Sequence, residues 1–145
     1  MIKQDFTQQI NAPVEKVFAF VTDFRNNPKW QNGLIESTQT PDGPTQVGTK
    51  VKDVRTFLGQ KLDSTYEVTE FAPNRKLVFK STSGPIQFTF VQTFEAASGG
   101  TKLGAHVEME ASGFFKLAEG VLANTLKKEF ESQAEKLKSL LEGTG

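Results

Sequence analysis

Residues 114–142 read FFKLAEGVLANTLKKEFESQAEKLKSLLE. Leu122, Leu126, Phe130, Ala134, Leu137 and Leu141 return every three or four residues, the spacing of one helix face. Lys127, Lys128, Glu131, Glu135, Lys136 and Lys138 fall on the other side. The pattern predicts one helix from about Phe114 to Glu142, roughly 40 Å long, ended by Gly143 and Gly145. Such a helix needs an apolar surface to lie against, and the chain upstream supplies one.

That upstream chain is mostly strand. Ile86, Phe88, Phe90 and Phe94 alternate onto one face, and so do Leu103, Ala105, Val107 and Met109 within 101–111. Further strands are expected at 3–10, 33–39, 48–57, 61–71 and 75–82. Leu58-Gly59-Gln60, Ala72-Pro73-Asn74 and Ser98-Gly99-Gly100 are short turns, and Thr40-Pro41-Asp42-Gly43-Pro44 is a loop. Gly59 is expected to supply a positive φ. After the first strand, Val14, Val17, Phe18 and Val21 form a helical stripe, with Asn11 as a cap and Pro13 in the first turn. Asp23 caps a second short helix, 24–30, whose length Pro28 limits. The reading is α+β: a seven-stranded curved antiparallel meander around a long C-terminal helix, with two short helices after the first strand. No repeat or composition shift divides it, so one domain over 1–145 is expected.

Composition narrows the function classes. Lys plus Arg and Asp plus Glu both number 17, a formal net charge of zero, which argues against nucleic acid as a partner. With no cysteine there is no disulfide, thiolate metal site or cysteine nucleophile. The single histidine, His106, falls between inward Ala105 and Val107 and is expected to face outward, so neither a Ser-His-Asp arrangement nor a metal site is expected in the interior. Gly99-Gly100 reads as a hairpin turn, and no Walker or GxGxxG pattern occurs. No cofactor is expected. The N-terminus lacks a signal-peptide stretch and no segment approaches 18 apolar residues, so a cytoplasmic protein without an integral membrane segment is expected. Thirteen Phe stand against one Tyr and one Trp: either the rings fill the core, or some of them line a cavity.

The chain resembles the START-like (SRPBCC) superfamily, in its bacterial polyketide cyclase/dehydrase branch. The resemblance rests on 10–18 (INAPVEKVF), on Val21-Thr22-Asp23 with Pro28 and Trp30, and on Val47-Gly48-Thr49. It continues through 66–77 (YEVTEFAPNRKL) and Gly99-Gly100-Thr101-Lys102-Leu103. It implies a helix-grip fold, a sheet closed over the C-terminal helix with a tunnel between them. Relatives bind lipids, sterols, polyketides, hormones or quinones, and a few catalyse ring closure or dehydration.

A pocket is therefore expected between the concave sheet face and the first half of the long helix. Alternation assigns Phe79, Phe88, Phe90, Val107 and Met109 to it from the sheet, and Leu117, Val121 and Leu122 from the helix. Val51, Asp53, Arg55 and Phe57 share one face of their strand. If that face is inward, Asp53 and Arg55 need partners, either each other or a ligand oxygen; a register one residue off makes them a solvated surface pair. Tyr66 shares the inward face with Leu62 and Val68, and its hydroxyl is a candidate donor to a ligand carbonyl. Gln92, between Phe90 and Phe94, needs an amide partner or a ligand. The resemblance implies that Trp30 sits near the cavity mouth. The stretches 58–60 and 112–114, the latter with Gly113 beside Phe114, are candidate gates.

The leading expectation is binding or transport of a small hydrophobic ligand. The alternative is a cyclase or dehydratase with Asp53 or Glu70 as base and Arg55 or Tyr66 as stabiliser. A third is a protein-interaction module marked by outer residues such as Val54 and Val91. Ligand identity and oligomeric state are not readable from the sequence.

Overall fold

The computed structural model describes residues 2–31, 33–57, 59–117 and 119–143, with the backbone alone at 114 and 115. Strand β1 (Ile2–Ile10) leads into helix α1 (Val14–Val21), a 3-10 turn (Phe24–Asn26) and the single-turn helix α2 (Asn27–Trp30). Six strands follow: β2 (Leu34–Thr40), β3 (Lys50–Phe57), β4 (Gln60–Ala72), β5 (Lys76–Ser83), β6 (Ile86–Ala97) and β7 (Gly100–Ala111). A helical turn, α3 (Phe114–Leu117), precedes the long helix α4 (Glu119–Gly143). Both lie within the expected tail helix, on either side of residue 118, which is outside the described residues. The expected order of elements, including the pair of short helices, is observed.

The seven strands form one antiparallel sheet in the order β1-β7-β6-β5-β4-β3-β2. β1 and β2, adjacent in sequence, occupy opposite edges, and α1, the 3-10 turn and α2 span the distance between them. β1 closes on β7 in continuous register from Ile2↔Met109 to Ile10↔Thr101. Gly59 takes a φ of 75°, as the tight β3–β4 turn requires. Asp23 caps the 3-10 turn by accepting from the Arg25 amide, whereas α1 has no side-chain cap. The expected cap, Asn11, instead donates its backbone N–H to Glu142 at 2.9 Å.

α4 runs beside β1 and is tied to it. Gln4 Nε2 donates to the Ala123 carbonyl at 2.8 Å, and Lys138 Nζ donates to the Gln9 carbonyl at 2.8 Å. Lys16 Nζ reaches the Leu141 carbonyl at 3.2 Å, placing a cation at the helix C-terminus where the exposed carbonyls favour it.

The core has two clusters. One gathers Val17, Phe18 and Val21 of α1 with Leu77, Phe94, Leu137 and Leu141. The other gathers Ile86, Val107 and Met109 with Leu122 and Leu126 of α4. Phe88 and Phe90 touch both clusters. Phe18 packs edge-on against Phe94 and Phe71, with centroids 4.9 and 5.3 Å apart, as close-packed core rings do. No helix among the described residues is long and apolar enough to cross a membrane.

Candidate functional site

Where the two clusters meet, the interior stays open. The cavity measures about 190 Å³ and lies under the middle of α4, between Leu126 and Leu137, further along than the first half of the helix. Its walls are mainly aromatic. Phe79 and Phe90 stack at 5.2 Å, Phe90 meets Phe130 of α4 edge-on at 5.8 Å, and Phe88 stands edge-on to Tyr66 at 5.8 Å. Among the described residues the Phe rings therefore divide: some fill the core, as around Phe18, and others wall a space.

Of the expected pocket residues, Trp30, Asp53, Arg55, Tyr66, Phe79, Phe88, Phe90, Gln92 and Met109 line this cavity. Val107 and Leu122 do not. Both are fully buried within the second cluster, consumed by packing. Leu117 and Val121 are corrections, 93% and 62% exposed. Val121 lies one residue, about 100° of rotation, from the Leu122 stripe that faces the sheet, and Leu117 lies ahead of α4 in the turn α3. The side chain of Phe114 lies outside the described residues, as does Leu58 of the expected gate. Glu70, the alternative base, is exposed, ion-paired to Lys76 at 3.1 Å and not among the residues that line the cavity.

At one side of the aromatic space sits a polar network. Asp53 is 3% exposed, which decides the register of β3 in favour of the inward reading. Val54, expected outside, is also buried, and Val91 is half-buried, so neither forms an exposed apolar patch. Ser37, directly across on β2, donates to Asp53 Oδ1 at 2.7 Å. Arg55 Nη2 donates to Asp53 Oδ2 at 3.0 Å and to Gln31 Oε1 at 2.9 Å. Tyr66, diagonal to Asp53 on β4, donates its hydroxyl to Oδ2 at 3.1 Å. Asn27 Nδ2 in turn approaches the Tyr66 oxygen at 3.4 Å. The buried carboxylate thus has a cation and two hydroxyls, as burial of a charge demands. Burial, then the negative charge of Asp53, push the Tyr66 phenol well above its ordinary value, so it stays protonated and hydrogen-bonded to Asp53. Its proton is directed away from any ligand carbonyl.

Three buried polar atoms on lining residues have no hydrogen-bond partner among the described residues: Asn27 Oδ1, Trp30 Nε1 and Gln92 Oε1. Asn27 and Gln31 were missed in the sequence because polar residues on a short helix read as surface. Asn27 nevertheless stands three residues before Trp30, on the same helical face, and that spacing was available as a signal.

His106 faces outward, with its ring nitrogens 2.6 Å from Asp5 Oδ1 and 2.9 Å from Glu108 Oε2. These two carboxylates raise its pKa, Glu108 contributing most. Among the described residues no three His, Cys, Asp or Glu side chains are grouped to hold a metal.

Comparison with known proteins bears on the fold and the family. A protein of Thermus thermophilus superposes with a TM-score of 0.84 over 99% of both chains at 16% identity. A START superfamily protein from Mycobacterium smegmatis gives 0.80 over 99% of both at 15% identity. A second M. smegmatis protein gives 0.74 at 21% identity, over 99% of this chain and 93% of the other. The fold is therefore START-like. No curated protein matches the chain. The model of the family described as polyketide cyclase / dehydrase and lipid transport matches residues 1–142, and the chain belongs to that family.

Proposed function

We propose that this protein binds and carries a small hydrophobic molecule in the cavity beneath α4. The observation that carries the reading is the aromatic space itself, about 190 Å³. Apolar cavities on the order of 150 Å³ take up a benzene-sized ring. At about 25 cal/mol per Å², burying 200 Å² of apolar ligand surface contributes roughly 5 kcal/mol before the costs of association. Membership of a family whose description includes lipid transport supports the same reading.

The contacts of Asp53 weigh against a cyclase or dehydratase. A general base needs a free lone pair within reach of the substrate. Three of the roughly four acceptor sites on Asp53 already accept, Oδ1 from Ser37 and Oδ2 from Arg55 and Tyr66, which leaves a single site on Oδ1. The Tyr66 proton is committed to the same carboxylate.

Native mass spectrometry of the purified protein, with organic extraction and identification of bound material, tests the proposal. The expected result is a stoichiometric hydrophobic molecule, or uptake of one from a panel of lipids, quinones and polyketides. A bare chain that takes up none of them would refute it.

A further inference from the structure

Four of the five hairpins from β2 onward stay paired right up to the connection that joins their strands, at Thr40↔Lys50, Phe57↔Gln60, Ala72↔Lys76 and Ala97↔Gly100. The β5–β6 hairpin does not. Its pairing stops at Lys80↔Thr89, although β5 runs on to Ser83 and β6 begins at Ile86. In the same register Ser81 would face Phe88, Thr82 would face Gln87 and Ser83 would face Ile86. Instead the two arms are drawn to opposite neighbours. Ser81 and Ser83 pair with β4, and the hydroxyls of Thr82 and Ser83 bond that of Thr65. A Cβ on Gly84 would lie 3.0 Å from Ser64 Cβ, so glycine lets this arm press onto β4. The other arm follows β7: Ile86 and Phe88 pair with it, and the Pro85 carbonyl accepts from the Ser112 N–H at 2.9 Å and the Ser112 hydroxyl at 2.8 Å. At the first unformed pair the Phe88 N–H donates to the Ser81 hydroxyl at 2.8 Å rather than to a backbone carbonyl.

The seam between the arms opens outward into a second space of about 330 Å³, lined by 80–84 on one side and by 87–89 and 108–110 on the other. Phe88 and Met109 line both this space and the aromatic cavity. The two spaces therefore share a wall. Phe88 is half-buried, with its ring edge-on to Tyr66 at 5.8 Å and to Phe79 at 6.2 Å. The outer space is polar, with Lys80, Gln87 and Glu110 on its walls, so an apolar molecule gains little by lodging there. Passage through the sheet elsewhere breaks ladder hydrogen bonds. Passage here displaces one hydroxyl contact and one ring, a local opening far cheaper than unfolding the sheet.

On the carrier reading, we propose that hydrophobic molecules enter and leave the cavity through the β5–β6 seam, with the Phe88 ring swinging aside and the Ser81 hydroxyl as its catch.

Stopped-flow mixing with 2-acetylnaphthalene, read by quenching of Trp30, the only tryptophan and a residue of the cavity wall, tests this. Ser81→Ala releases the catch. Because opening precedes both entry and exit, association and dissociation should quicken by the same factor, about threefold to tenfold for one hydrogen bond, with Kd unchanged. Val17→Ala, in the α1 cluster and off the cavity wall, controls for general loosening and should leave both rates alone. The converse variant ties the seam. Thr82→Cys with Gln87→Cys, both exposed and in a chain without other cysteines, is bridged by a bis-maleimide. Both rates should fall at least tenfold against the same variant capped at each thiol separately. Rates unmoved by Ser81→Ala and by the bridge would overturn the seam as the route while the probe's binding leaves the carrier reading standing. A changed Kd with an unchanged association rate would also overturn it, making Ser81 a ligand contact. Equal quickening in Val17→Ala would overturn it as well. A wild type that takes up neither this ketone nor any of the lipid, quinone and polyketide panel would overturn both.

Discussion

Tyr66 on β4 donates its hydroxyl to Asp53 on β3 at 3.1 Å, and both residues are almost completely buried. The bond is the hinge of the polar network, because it serves Asp53 as donor and Asn27 as acceptor at once. Tyr66→Phe removes both roles and leaves the cavity shape nearly unchanged. It should lower the unfolding free energy by about 2 kcal/mol, as a hydrogen bond to a charged group does. Asp53→Ala should cost more, about 2–3 kcal/mol, because it leaves Arg55 with Gln31 alone, although Arg55 is 24% exposed and partly solvated. Urea denaturation measures both, and a change below about 0.5 kcal/mol in either variant would mean the network is solvated in solution.

His106 sets a pH window. Glu108 and Asp5 raise its folded-state pKa above the ordinary 6.5, so the folded chain holds the proton more tightly than the unfolded chain. The resulting stabilisation is fully present below pH 6.5 and is lost as pH rises through the raised folded value. The urea midpoint of the wild type should fall over that interval relative to His106→Gln, in which the dependence disappears. Because this is the only histidine in the chain, its imidazole NMR signal reads the pKa directly; a value at or below 6.5 would contradict the assignment.

Ala134 is a half-buried residue on α4 facing the cavity. Ala134→Leu keeps a good helix former and directs extra methylenes into open space. Stability should change by no more than about 1 kcal/mol. Naphthalene affinity should fall by an order of magnitude, since the substituted side chain occupies ligand volume. Unaltered affinity would move the binding site elsewhere.

Alternation made the sheet legible, because a strand with one buried face must repeat every two residues. Phe88, Phe90 and Gln92 reach the cavity as their spacing required. Asp53 was harder. Its own strand permits either register, and what decides the matter is Ser37 and Tyr66 on the neighbouring strands, which local sequence does not reveal. The helix reading failed at its start for a related reason. Leu117 and Val121 are apolar, yet the direction α4 faces is set by Leu126, Leu137 and Leu141 further along. Asn27 and Gln31 acquire their roles only when α2 docks against the sheet.

The closure of β1 on β7 has a consequence for the making of the protein. Ile2 leaves the ribosome about a hundred residues before its partner Met109. At about 5–20 residues per second the first strand waits roughly 5–20 s for its mate. Throughout that interval Ile2, Phe6 and Ile10 are apolar side chains on a strand with no neighbour. The nascent chain is therefore most dependent on holdase chaperones at β1, until the last strand of the sheet emerges and binds it.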